Sequence, residues 1–80
     1  MRCAVISRAG QVLANGRLIL NKEESGAWRL DLQTDGGRLF EGGIVGSDGD
    51  MSSATERLFR RFFEVWGMSD LTLTVTSKGR

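Results

Sequence analysis

Eighty residues, 40% of them apolar, make one small domain spanning 1–80, and eleven basic against ten acidic residues leave a formal net charge of +1. A dedicated nucleic-acid binder shows a clear basic excess on one face, so the balance lowers that expectation. One cysteine and no histidine exclude zinc-finger ligand sets and any intrachain disulfide.

A domain of this size buries only about 60–65% of the surface its unfolded chain exposes, so good packing or self-association has to stabilise it. The lone Cys3 fits a reducing compartment, and a cytoplasmic location is expected. No apolar run approaches the roughly 18 residues of a membrane span. The N-terminal apolar stretch breaks at Ser7-Arg8, too early for the core of a signal peptide. Nine of the eleven basic residues are arginine, whose planar fork favours protein interfaces more than lysine does.

In chain order, residues 1–8 read as a strand with Cys3 and Val5 on one face and Ala4 and Ile6 on the other. Ala9-Gly10 is a turn candidate and Asn15-Gly16 a second one, the strongest two-residue hairpin signal. The reading favoured here puts the turn at Ala9-Gly10 and runs one long strand to residue 21, with Asn15-Gly16 as a bulge or bend. The polar stretch 22–26 is a turn. Residues 27–33 alternate, with Trp28, Leu30 and Leu32 expected inward and Arg29, Asp31 and Gln33 outward. Thr34-Asp35-Gly36-Gly37 suits a short hairpin loop, and residues 38–45 return as the next strand. Gly42-Gly43 inside that strand predicts a bulge or the approach of something bulky, for which the helix aromatics are the candidate.

Residues 46–50 form a loop, and 52–67, SSATERLFRRFFEVWG, are an amphipathic helix carrying four of the six aromatic side chains. Ser53-Ala54-Thr55-Glu56 matches a capping box, Asp48 and Asp50 add negative charge at the helix start, and Gly67 is the expected stop. At 100° per residue Met51, Ala54, Leu58, Phe59, Phe62, Val65 and Trp66 share one half of the wheel. Glu56, Arg57, Arg60, Arg61 and Glu64 share the other, with Glu56–Arg60 and Arg60–Glu64 spaced as i,i+4 ion pairs. Phe63 lies at the edge of the apolar arc; it either folds over the sheet margin or is partly exposed and meets a partner or a second copy of the chain. Residues 71–76 are the last strand, with Leu71, Leu73 and Val75 inward and the threonines outward, and 77–80 a frayed tail. The expected fold is α+β in two layers: an antiparallel sheet of four to five strands with one helix packed on one face, in the order βββ(β)αβ.

Catalytic chemistry is hard to assemble from these residues. There is no histidine or tyrosine to serve as base, and Cys3 reads as a small apolar strand residue. The glycine-rich run into the helix lacks the Lys-[Ser/Thr] of a phosphate loop. Asp48-x-Asp50-x-Ser52 has the first three positions of a calcium loop, but Ser53 and Phe59 stand where Gly and Glu belong. No enzyme, cofactor or metal is therefore expected. The element order is similar to that of the double-stranded-RNA-binding domain, but Ser52-Ser53-Ala54-Thr55 occupies the place of its lysine cluster.

Size, element order and the lack of a catalytic set resemble the format of small phage-encoded inhibitors, anti-CRISPR proteins in particular. The resemblance rests on no motif and carries over no site residue. It implies a non-enzymatic protein that blocks a CRISPR effector complex by steric occlusion; DNA mimicry would need an acidic excess that is absent here. The residues placed at a partner contact are Arg29 and Asp31 on the outer sheet face and Arg57, Arg60, Arg61 and Phe63 on the helix. The alternative is a nucleic-acid contact through the arginines of the helix or sheet. Membrane partners are not expected, and a homodimer is compatible with the exposed arc.

Overall fold

The computed structural model describes residues 1–46 and 50–76. Five strands, β1 (Arg2–Ser7), β2 (Val12–Lys22), β3 (Trp28–Thr34), β4 (Leu39–Ile44) and β5 (Leu71–Val75), flank one helix, α1 (Ser52–Trp66). They form one sheet in the order β4-β3-β2-β1-β5, and every neighbouring pair is antiparallel. The first four strands are a meander; α1 then carries the chain across to the far edge, where β5 pairs with β1.

The three hairpins share one design. Ser7, Glu23 and Thr34 each donate their amide to the carbonyl four residues on and accept the amide of the glycine three residues on. Gly10, Gly26 and Gly37 take φ of 89°, 93° and 97°. This is the three-residue loop with a left-handed closing residue, which a side chain would strain. The turn therefore falls at Ala9-Gly10, and Asn15-Gly16 stays inside the continuous β2. The irregularity in β2 lies at Leu13, where Val5 pairs with Ala14 and Ile6 with Val12. Gly16 is small for another reason: a Cβ there would sit 2.4 Å from the Gln33 carbonyl oxygen.

The core is the layer between sheet and helix. Cys3, Val5, Leu30, Leu32, Phe40 and Val45 meet Ala54, Leu58 and Phe62, with Leu18, Phe59, Trp66, Leu71 and Leu73 packed around them. Phe62 sits edge-on to Phe40 at 4.9 Å and to Phe59 at 5.3 Å, and Trp66 tilts against both Phe40 and Phe62. Edge-to-face rings align the positive rim of one with the negative face of the next.

The helix lies over β4 and β3 rather than over the middle of the sheet. Its seat is the predicted bulge in β4, where Leu30 pairs with Gly43 and Asp31 with Glu41. A Cβ on Gly42 would lie 2.7 Å from the Leu30 oxygen, 2.9 Å from the Ala54 oxygen and 3.0 Å from Leu58 Cγ. What approaches the glycines is thus the first turns of the helix backbone, Leu58 and the Arg57 guanidinium, and not the aromatic rings that the sequence pointed to. Trp28, expected inward, is 44% exposed; it is the first residue of β3 and pairs with Lys22, the last of β2.

The helix start also differs from expectation. The capping box at Ser53–Glu56 does not form; Asp50 takes its place, its Oδ1 accepting the Ser52 amide at 2.9 Å and the Ser52 hydroxyl at 2.8 Å. These two bonds hold the Asp50 carboxyl below its ordinary value. Asp48, read with it, and the tail 77–80 lie outside the described residues. Gly67 ends the helix in the left-handed conformation, its amide donating to the Phe63 carbonyl. Among the described residues neither i,i+4 pair closes; Arg61 instead reaches Glu64 at 3.3 Å.

Phe62 is fully buried at the junction of helix and sheet. Phe62→Ala is expected to cost about 3–5 kcal/mol, enough to unfold a domain this small under ordinary conditions; a chemical-denaturation curve like that of the parent chain would refute this packing account.

Candidate interaction surface

The six residues assigned to a contact surface fall on opposite sides of the molecule. Cross-strand register puts Arg29 and Asp31 on the sheet face away from the helix, with Ile19 and Glu41 flanking Asp31. The Arg29 guanidinium lies 3.4 Å from Asp31, 3.6 Å from Glu23 and 3.8 Å from Glu41. Asp31 was expected to be exposed and is not: only 9% of it reaches solvent, and its Oδ1 has no hydrogen-bond partner among the described residues. A short carboxylate in a central strand is shaded by the longer side chains on both neighbours. The cluster holds three acids around one base, a geometry built to orient Arg29 rather than to offer it freely.

On the same face Arg2 grips Asp35 with both arms, at 2.8 and 2.7 Å. This pair spans β2 and ties the first strand to the β3–β4 hairpin. The Arg2 bond holds the Asp35 carboxyl below its ordinary range.

Arg57 turns inward instead of lining an outer helix face. Its guanidinium donates to the Gly42 and Ile44 carbonyls of the edge strand β4. It fastens the helix to β4 and is not offered to a partner. Arg61 is exposed and paired with Glu64, beside an open groove lined by Leu39, Phe40, Glu41 and Val65. Arg60 points to solvent without an ion pair among the described residues.

Phe63 resolves the choice left open by the sequence: it does not fold over the margin but stays 53% exposed. It occupies the flank of the helix opposite Arg61 and Val65, which line β4, and so faces the β1–β5 side of the sheet. Exposed Leu20 and Val75 and half-buried Leu18, Leu71 and Leu73 share that side of the sheet. The result is an apolar shoulder running from the helix flank to β5. Cys3 lies beneath it, buried, with burial pushing its thiol upward and away from the reactive thiolate. The shoulder itself was missed at the sequence level, because the alternation of β5 reads as inward whether or not a helix covers it.

Arg57→Ala should lose about 1–3 kcal/mol of folding stability by orphaning two carbonyls, whereas Arg60→Ala should change it by less than about 0.5 kcal/mol; equal effects in urea denaturation would contradict the division of roles. In Arg2→Gln the Asp35 carboxyl should titrate closer to its ordinary value. A carboxyl depressed in the folded state stabilises above its unfolded pKa and loses that contribution as pH falls through the depressed one. The pair therefore acts at neutral pH and fades in acid, and a two-dimensional NMR titration of Asp35 in both chains checks the direction.

Scans against protein-family models, curated proteins and solved structures find no match to this chain, so its function has to be argued from this surface.

Proposed function

We propose that the chain is a non-enzymatic protein-binding module that acts by occupying a partner's surface, with Phe63 and Arg60 central to the contact. The observation that carries this reading is an aromatic ring more than half exposed on a helix, three residues from an arginine that makes no ion pair among the described residues. Residues three apart on a helix are neighbours, and aromatic and arginine side chains are the types enriched at protein interfaces. The helix is anchored beneath them by Phe62 and Arg57, so the pair is presented with little ordering left to lose on binding.

The resemblance to small phage-encoded inhibitors extends the proposal: the partner is a CRISPR effector complex, and inhibition is steric. The nucleic-acid alternative loses support from the placement of the arginines, since Arg57 is spent on the bulge and Arg61 on Glu64. That leaves Arg60 as the one of the three helix arginines without a partner among the described residues, too little to track a phosphate backbone.

Expressed in a host with active CRISPR immunity, the chain should restore phage plaquing. The folded double variant Phe63→Ala/Arg60→Ala should lose about tenfold or more of that effect. Failure of the parent chain to restore plaquing would remove the inhibitor reading. Binding of purified chain to labelled duplex DNA that collapses with rising salt and with Arg60→Ala would replace it by the nucleic-acid one.

A further inference from the structure

The two edges of the sheet are built differently. β4 carries the Gly42–Gly43 bulge and Glu41, features that keep an edge from pairing with another chain. β5, Leu-Thr-Leu-Thr-Val, has no charge, no proline, no glycine and no bulge against β1. The amide of Thr76 donates to the Arg2 carbonyl at 3.0 Å. By antiparallel alternation Thr72 and Thr74 also turn their backbone groups toward β1, and Leu71, Leu73 and Val75 turn theirs outward. Among the described residues an unprotected edge thus presents three residues' worth of unpaired backbone next to the apolar shoulder.

We propose that a second copy of this chain covers this edge, β5 pairing antiparallel with β5 of its mate about a two-fold axis at Leu73. The strand matches itself in that register and in no other as fully. Leu73 faces Leu73, Leu71 faces Val75, and Thr72 faces Thr74, so all three outward-facing residues exchange hydrogen bonds. Leucine and valine meet on one face and threonine on the other. No like charges oppose each other, and a net charge of +1 per chain adds little repulsion. The axis stands perpendicular to the sheet, which puts both helices on one face of a continuous ten-stranded sheet, with β5 and its mate as the floor between them. Pairing removes both flat edges and leaves only the bulged β4 edges outside, so assembly stops at two. The proposal stands apart from the identity of any partner; it makes the module bivalent, with two Phe63 flanks on one side.

The test uses the exposed threonines of the helix-free face, which do not pack in the core. Sedimentation equilibrium of the parent chain, over a loading series ending at its highest soluble concentration, should approach twice the 8.8 kDa chain mass. Thr72→Lys/Thr74→Lys sets lysine against lysine across the seam and should be monomeric, as should Thr72→Glu/Thr74→Glu. Mixing the two should restore the dimer, since each lysine then faces a glutamate. In the parent chain, amide exchange at Leu71, Leu73 and Val75 should slow as concentration rises, a readout that needs no variant. A parent chain monomeric throughout, a lysine variant that still dimerises, a mixture that stays monomeric or exchange at these amides independent of concentration would each overturn the proposal.

Discussion

The missing side chain at Gly42 sets the rest of this architecture. With backbone oxygens of Leu30 and Ala54 both within 3 Å of where a Cβ would stand, the helix can descend onto β4 only because there is none. That contact fixes the lateral position of α1, and the position decides everything downstream of it. It brings Phe62 over Phe40 and leaves β5 at the margin of the lid, with Val75 exposed and Leu71 and Leu73 only half-buried. At the same bulged edge Arg57 reaches back from the helix to the Gly42 and Ile44 carbonyls. A local defect in one strand and a charged residue on the helix are thus two halves of one joint.

An asymmetric lid gives the two faces and two edges of the sheet unequal characters. The helix-free face carries the paired charges, Arg2 with Asp35 and Arg29 with three acids, set among apolar residues such as Val12, Ile19 and Leu39. Those paired charges are matched at home, which leaves them little to offer a ligand. Across the sheet, the shoulder between Phe63 and β5 keeps apolar surface in water, and an 80-residue domain has little stability to spare for such exposure unless it has a use. The recognition proposed above would draw on this side.

Much of the fold was legible residue by residue. Gly10, Gly26 and Gly37 each punctuate alternating apolar runs, and Gly67 closes a helix whose period is unambiguous; such signals are local, and local geometry obeys them. What escaped was long-range. Asn15-Gly16, read as a bulge or bend within one long strand, is regularly paired with β1, and the irregularity falls at Leu13 instead. Ser53 and Glu56 match a capping box, yet Asp50 captures the first free amide a turn earlier. Arg57 sits on the polar half of the wheel, and nothing nearby in sequence tells that two strand carbonyls will be waiting for it. Asp31 reads as outward, which is right, and as exposed, which is not, because shading comes from neighbours in other strands. Of the residues assigned to a contact from the sequence, Phe63 was the one whose place at the rim of the apolar arc already marked it; the separation of Arg29 and Asp31 from the helix group needed the topology.

The connection through the helix has a kinetic side. The first four strands zip by hairpins whose closing loops are three residues long, the fastest kind of long-lived contact a β-protein can make. β5 must instead find β1 after nearly the whole chain has intervened, bringing Thr76 to Arg2. Loop-closure entropy makes that docking the slow event. Until it happens β1 is itself a bare margin, so the window in which a growing or refolding chain is most prone to mispair opens early and shuts only with the final strand.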